Sequence, residues 1–188
     1  MTLALHGATA AIHDHVAGQP GDYDVAVAAL RAAVEIEVAT QVTRANVRNL
    51  AGLARWLTGP SLRGKVRLWT LLWPGPQSPG RSQSRLGMVT PRVLHAASIA
   101  RQQGLEVLTS GLPTCVLGPH AEFATAATPA AYAEVCRGCD ARAACPGVPK
   151  AYLESFTRDL ELRALRLFPT GSRPWVRAGN ARPGRRPA

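Results

Sequence analysis

Along the first two thirds of the chain the apolar positions switch between a spacing of two and a spacing of three to four, the periods of a strand and of a helix. Leu3–Leu5 is a short apolar start that runs directly into His6-Gly7, and Gly18-Gln19-Pro20-Gly21-Asp22 is a cluster of turn formers. Tyr23–Ala33 (YDVAVAALRAA) predicts an alanine-rich helix with Asp22 as its N-cap. Val34–Val42 (VEIEVATQV) alternates apolar and polar residues, many of them β-branched, and predicts a strand. Asn46 then caps a helix whose Leu50, Leu53, Ala54 and Leu57 share one face, and Gly59-Pro60 stops it. Lys65–Trp73 (KVRLWTLLW) is the most strand-like run, ending at Pro74-Gly75-Pro76. A loop rich in Pro, Gly, Ser and Arg follows to Gly87. Thr90 and Pro91 read as the start of a helix carrying Val93, Leu94, Ala97 and Ala100, closed by Gly104. Leu105–Leu108 adds one more short strand, and Tyr152–Leu167 is a leucine-bearing segment near the end.

Strands alternating with helices predict parallel pairing through helical crossovers, an α/β class. About three βα units fit between residues 1 and 108. Three parallel strands leave edges unpaired and a face uncovered, so the chain reads as beginning inside a larger fold.

Composition changes this picture mainly at the C-terminal end. An apolar fraction of 46% in 188 residues is enough for a packed core. No uncharged apolar run reaches the ~20 residues of a membrane-spanning helix. Met1-Thr2-Leu3-Ala4-Leu5-His6 lacks the basic leader and apolar core of a secretory signal, so a cytoplasmic location is expected. The net charge of +10 is uneven: Arg173, Arg177, Arg182, Arg185 and Arg186 fall between residues 169 and 188, with no acid among them. That segment reads as a disordered basic tail. Aromatic residues make up only 5% of the chain, too few for a base-stacking platform, and nucleic acid is not an expected partner of the folded part.

The candidate chemistry lies in the cysteines. Cys136-Arg137-Gly138-Cys139 and Cys145 form a C-x2-C-x5-C array, and Cys115 lies 21 positions before it. A C-x2-C pair sets two thiolates on one turn, Cys145 returns after a short loop, and Cys115 completes a four-sulfur shell. Gly138 and Gly147 can turn main-chain N–H groups toward sulfur, and Pro146 can help keep water away. Three cysteines bunched within ten residues do not look like a disulfide framework. A structural four-cysteine zinc site and a 4Fe-4S cluster both satisfy the spacing. The cluster would carry net negative charge, and Arg137, Arg142 and Lys150 are close in sequence to offset it.

Taken in order, these pieces resemble the C-terminal half of a radical SAM protein. Leu3-Ala4-Leu5-His6-Gly7 with His13-Asp14 is similar to the family's fourth barrel strand and its loop. Val38–Asn46 (VATQVTRAN), with Leu50 downstream, is similar to the fifth strand and its helix start, and Leu68–Gly75 to the sixth. Gly111-Leu112-Pro113-Thr114-Cys115 and the C-x2-C-x5-C-P-G array resemble an auxiliary-cluster extension of the SPASM/Twitch type. The resemblance implies a partial parallel (β/α) barrel over residues 1–108, an auxiliary cluster region over 109–168 and a tail over 169–188. It also implies an auxiliary 4Fe-4S cluster on Cys115, Cys136, Cys139 and Cys145. Thr43 and Asn46 become candidate contacts to S-adenosylmethionine, although Asn46 also serves as a helix cap.

The chain departs from the family pattern in several places. It has no C-x3-C-x2-C triplet of the kind that holds the cofactor-cleaving cluster, and no counterpart of the first three strands or of the glycine-rich segment beside them. Ala4 stands where a serine is frequent. The auxiliary pattern would put another cysteine at Pro149, so at most one auxiliary cluster is fully ligated. The resemblance therefore implies a truncated or split protein that binds S-adenosylmethionine only if a partner chain supplies the missing barrel half, with a peptide or small-molecule substrate left undetermined. A non-enzymatic zinc module with four cysteine ligands and a basic tail that binds RNA or protein is the alternative. Elsewhere, His13-Asp14-His15 lacks a third ligand, His95 and His120 have no acid–base partner, and Trp56, Trp69 and Trp73 read as core.

Overall fold

The computed structural model of the protein describes residues 1–73, 84–125, 131–156 and 162–165. Four strands form one sheet in chain order: β1 (Thr2–Ala4), β2 (Ile36–Gln41), β3 (Val66–Leu72) and β4 (Glu106–Ser110). Every neighbouring pair is parallel. The short strand expected at Leu105–Leu108 is a fourth strand that runs from Glu106 to Ser110.

Parallel neighbours need crossovers, and each one here is helical. Helices α1 (Ala10–Ala17) and α2 (Asp22–Ala32) join β1 to β2. A 3-10 turn at Val47–Asn49 and α3 (Leu50–Leu57) join β2 to β3, and α4 (Leu86–Gln102) leads into β4. Strands laid down in sequence with right-handed crossovers carry their helices on one face. The register fits that rule. Leu3, Val38, Trp69 and Val107 align in one row, and Val38, Trp69 and Val107 are fully buried in a core shared with Leu30, Leu53, Leu57, Val93 and Ala97. On the opposite face Ala4, Ala39, Thr70 and Leu108 align and stay half-buried or exposed. Burying β2 and β3 on one face alone explains why they alternate, where a doubly covered parallel strand reads as a continuous apolar run.

One polar relay crosses this core. Thr40 Oγ1 donates to the Leu5 carbonyl at 2.5 Å and accepts the Trp69 indole N–H at 2.8 Å, with all three residues buried. It ties the first three strands together where the side chains would otherwise strand a carbonyl and an indole donor.

Three local expectations change. First, α1 was not foreseen, and Gly21 takes the N-cap position of α2 with Asp22 already its first residue; the Asp14 carboxylate accepts the N–H groups of Gly21 and Tyr23, both at 2.8 Å. Second, Asn46 makes no side-chain cap to the turn that follows it. Third, α4 starts at Leu86, which leaves Pro91 inside the helix instead of at its first position. Leu86 and Val89 are completely buried, and the Leu86 N–H donates to the Tyr152 hydroxyl at 3.0 Å, so tertiary packing carries the helix back past its proline.

The two sheet edges differ. At β4 the chain 123–125 returns: Thr125 N–H donates to the Thr109 carbonyl at 2.8 Å, and Thr109 Oγ1 to the Phe123 carbonyl at 3.2 Å. β1 pairs with β2 on one side only among the described residues. Among them, no helix is long and apolar enough to cross a membrane. The tail at 169–188 lies outside the described residues.

Candidate metal centre

The cysteine module begins where β4 ends. The Trp73 N–H donates to the Ser110 carbonyl at 2.9 Å, drawing the ends of β3 and β4 together, and Gly111 then turns the chain with φ 84°. A Cβ at residue 111 would overlap the Trp73 carbonyl oxygen, so only glycine fits this bend. Leu112 and Pro113 lead into the one-turn helix α5 (Thr114–Leu117), which seats Cys115 with 5% of its surface exposed.

The other three sulfurs come from a chain of tight turns. Cys136 lies in the 3-10 turn Glu134–Gly138, and Arg142–Ala144 makes a second such turn before Cys145. The Cys139 N–H donates to the Cys136 carbonyl at 3.2 Å and the Arg142 N–H to the Cys139 carbonyl at 3.2 Å, which fixes the spacing inside the array. Val148 N–H donates to the Ala131 carbonyl at 2.9 Å and so closes the base of the loop. Tyr132 braces it, with its hydroxyl on the Cys145 carbonyl at 2.8 Å. Helix α6 (Lys150–Ser155) then anchors the module to the sheet domain through the fully buried Tyr152, whose ring meets Trp73 edge-on at 5.3 Å.

All four cysteines line one pocket that opens to solvent. None of the four is in a disulfide. Main-chain N–H groups point at the sulfurs: Thr114 at 3.4 Å and Gly147 at 3.5 Å donate to Cys145 Sγ, and Leu165 at 3.3 Å donates to Cys139 Sγ. The Arg163 and Ala133 main chains favour the charged forms of Cys115 and Cys136 respectively. Gly147 thus meets the expectation of an N–H turned toward sulfur. Its φ of 71°, and the Ala131 carbonyl 2.6 Å from where a Cβ would stand, require glycine there.

Burial pushes the Cys115 and Cys136 thiols up, and repulsion from neighbouring sulfurs adds to it; the main-chain donors act in the opposite direction. Four thiolates in one cavity repel one another, and a bound cation relieves both the burial and the repulsion. The donor set fits a thiophilic metal centre. Among the described residues, no group of three or more His, Cys, Asp or Glu side chains is placed to hold a metal ion.

Of the three cations expected to offset cluster charge, only Arg142 lines the cavity, its guanidinium 4.9 Å from the centre of the Tyr132 ring. Arg137 pairs with Glu134 at 2.8 Å and Lys150 with Glu154 at 3.7 Å, all well exposed.

The other predicted site residues lie elsewhere, at the carboxyl ends of β1 and β2. Asn46 is fully buried, and its carboxamide is spent inside the protein. Its Oδ1 accepts the Thr43 N–H at 2.8 Å and the Thr43 hydroxyl at 3.3 Å, while Nδ2 donates to the His6 carbonyl at 2.9 Å and the Gln41 carbonyl at 2.7 Å. It locks the loop that follows β2. Thr43 is half-buried beside it. His13, expected in a loop, sits on α1 almost wholly buried, and its Nδ1 accepts the His6 N–H at 3.0 Å.

No family model, no curated protein and no solved structure matches the chain. The functional reading therefore rests on the site. Sequence reasoning missed the wall formed by residues 162–165 and the brace at Tyr132. Main-chain donors leave no side-chain signature, and residues 162–165 read only as part of the leucine-bearing segment Tyr152–Leu167.

Proposed function

We propose that the chain is the auxiliary-cluster part of a radical SAM protein, holding one 4Fe-4S cluster through Cys115, Cys136, Cys139 and Cys145. The observation that carries this reading is the convergence of all four sulfurs on one cavity, with main-chain N–H groups donating to Cys139 and Cys145. Such donors favour anionic, metal-bound sulfur and tune its potential. A zinc ion binds each thiolate at ~2.3 Å and so draws four of them to within about 4 Å of one another. A cubane carries its thiolates on separate iron corners and so holds them further apart than a single ion does.

The cluster supplies one-electron chemistry when bound. The protein's own part is to seat the sulfurs, exclude water with the buried Val148 and Leu162, and place Arg142 at the cavity wall. Four cysteine ligands leave no iron open to a substrate.

The sheet supports the barrel side of the reading. Parallel strands in chain order, covered on one face and open at the β1 edge, have the form of a (β/α) barrel segment that further βα units would extend. Those units would carry a C-x3-C-x2-C loop, and with it S-adenosylmethionine binding.

Anaerobic reconstitution of the whole chain with ferrous iron and sulfide tests the reading. The expected product is brown, absorbs broadly in the violet and carries about four irons and four sulfides per chain. A colourless protein that takes up one zinc and excludes iron would replace this reading with the four-cysteine zinc module.

A further inference from the structure

We infer that residues 162–165 form a metal-responsive strap, which latches across the cavity when its sulfurs hold a metal and lets go when they do not. The inference rests on the cluster reading above.

Three main-chain links hold this segment to the module. The Leu165 N–H reaches Cys139 Sγ at 3.3 Å, and the Asp140 N–H returns the contact to the Leu165 carbonyl at 3.0 Å. The Arg163 main chain favours a charged Cys115, and both residues line the same cavity. The strap thus touches one sulfur from each half of the site: Cys115 on α5 and Cys139 in the later turns. Two of its three polar links end on sulfur, and only one ends on an ordinary carbonyl. Its apolar anchor is Leu162, 9% exposed, with Leu165 packed partly beside it. Arg163 is exposed and stands at the cavity wall.

The chemistry of the acceptor decides how firmly such a strap sits. A neutral thiol is a weak acceptor. A metal-bound thiolate carries charge and is held in place, and a hydrogen bond to it is about twice as strong as a neutral one. Metal binding therefore strengthens two links at once, and metal loss weakens both, leaving one carbonyl bond and one leucine. By contrast, α6 is held by the buried Tyr152 and its contacts to Leu86 and Trp73, none of which involves sulfur. The strap and α6 must then respond differently to metal.

Hydrogen exchange on the full-length chain, iron-reconstituted and then stripped with chelator under reducing conditions, tests this. Iron content is measured on the same samples. In the loaded protein the Arg163 and Leu165 amides are expected to exchange about tenfold or more slowly than in the stripped one, while the Tyr152 and Phe156 amides of α6 change little. In a Leu165→Pro variant, which loses one sulfur donor and no ligand, iron is expected to bind while Arg163 protection falls. Full iron loading with no change at Arg163 and Leu165 overturns the strap and leaves the cluster reading standing. Equal loss of protection at α6 also overturns it, because the whole module would then fold with metal. Failure to bind any metal overturns both.

Discussion

Gly111 lies against the carbonyl oxygen of Trp73 so closely that no side chain can stand between them. The contact joins the ends of β3 and β4 at the point where the chain leaves the sheet for the cysteine module. Cys115 follows only four residues later, so the position of the first sulfur is set by a backbone contact within the sheet. A Gly111→Ala chain must both relieve that overlap and adopt φ 84° with a Cβ. The expected loss is about 2–4 kcal/mol of unfolding free energy, measured by urea denaturation. Iron retention should fall with it. A variant of unchanged stability would mean that the strand ends do not hold Cys115.

The relay through Thr40 gives a second test, confined to the sheet. Thr40→Val keeps the shape of the side chain and leaves the Leu5 carbonyl and the Trp69 indole N–H buried without their partner. Two orphaned groups cost about 2–4 kcal/mol together. Trp69 fluorescence should report the altered indole environment. Metal binding should be unaffected, since the relay does not touch the module.

What could be read in advance follows from how local each signal is. The alternation in 34–42 and 65–73 and the leucine face of α3 were legible because one sheet face is buried and the other is not. Helix α1 was not, because Ala10–Ala17 carries two histidines and an aspartate and little apolar periodicity. The Asp14 carboxylate acts on residues seven and nine positions away, at the start of another helix. Thr90-Pro91 is a strong local start signal, yet burial of Leu86 and Val89 overrode it. The four cysteines were legible because metal ligands impose their own spacing. The main-chain donors around them were not, since any residue can supply an N–H.

Each sulfur should matter equally if all four ligate one cluster. Single Cys→Ser variants at 115, 136, 139 and 145 are each expected to lose about half or more of the bound iron and to bleach faster in air. Cys115→Ser is the decisive member, because Cys115 comes from a different segment and is the most buried of the four. Wild-type iron content in that variant would remove Cys115 from the ligand set.

The reconstituted chain is also expected to leave S-adenosylmethionine intact. A cluster with four cysteine ligands offers no open iron, and the sequence has no C-x3-C-x2-C triplet. Incubation with S-adenosylmethionine and a strong reductant, followed by chromatography for 5′-deoxyadenosine, checks this. Catalytic release of that product would overturn the assignment of the cluster as auxiliary.

The histidine pair after β1 makes stability depend on pH in a window of its own. His6 and His13 stack with ring centres 5.3 Å apart, and each Nδ1 accepts a main-chain N–H: His13 from His6 at 3.0 Å, and His6 from Gln41 at 3.2 Å. An accepting Nδ1 carries no proton, so both rings are neutral in this arrangement. Burial lowers both from the ordinary value of 6.5; repulsion from His13 lowers His6 further, while Asp14 and Asp22 partly offset the effect on His13. The unfolded chain therefore binds protons at both histidines as pH falls through 6.5, before the folded protein does. Stability is expected to be level above about pH 7.5 and to fall as pH drops below 6.5. It should level off again once the folded histidines also titrate. The slope cannot exceed about 1.4 kcal/mol per pH unit for each histidine, and it is shallower for the half-buried His6. Asp14 acts separately: the Gly21 and Tyr23 N–H groups hold its carboxyl below 3.8, so its share of stability is lost only in stronger acid. Urea midpoints measured from pH 8 to pH 5, with the His13 imidazole followed by NMR, test the window. A His13 that titrates at or above 6.5 in the folded protein would refute it.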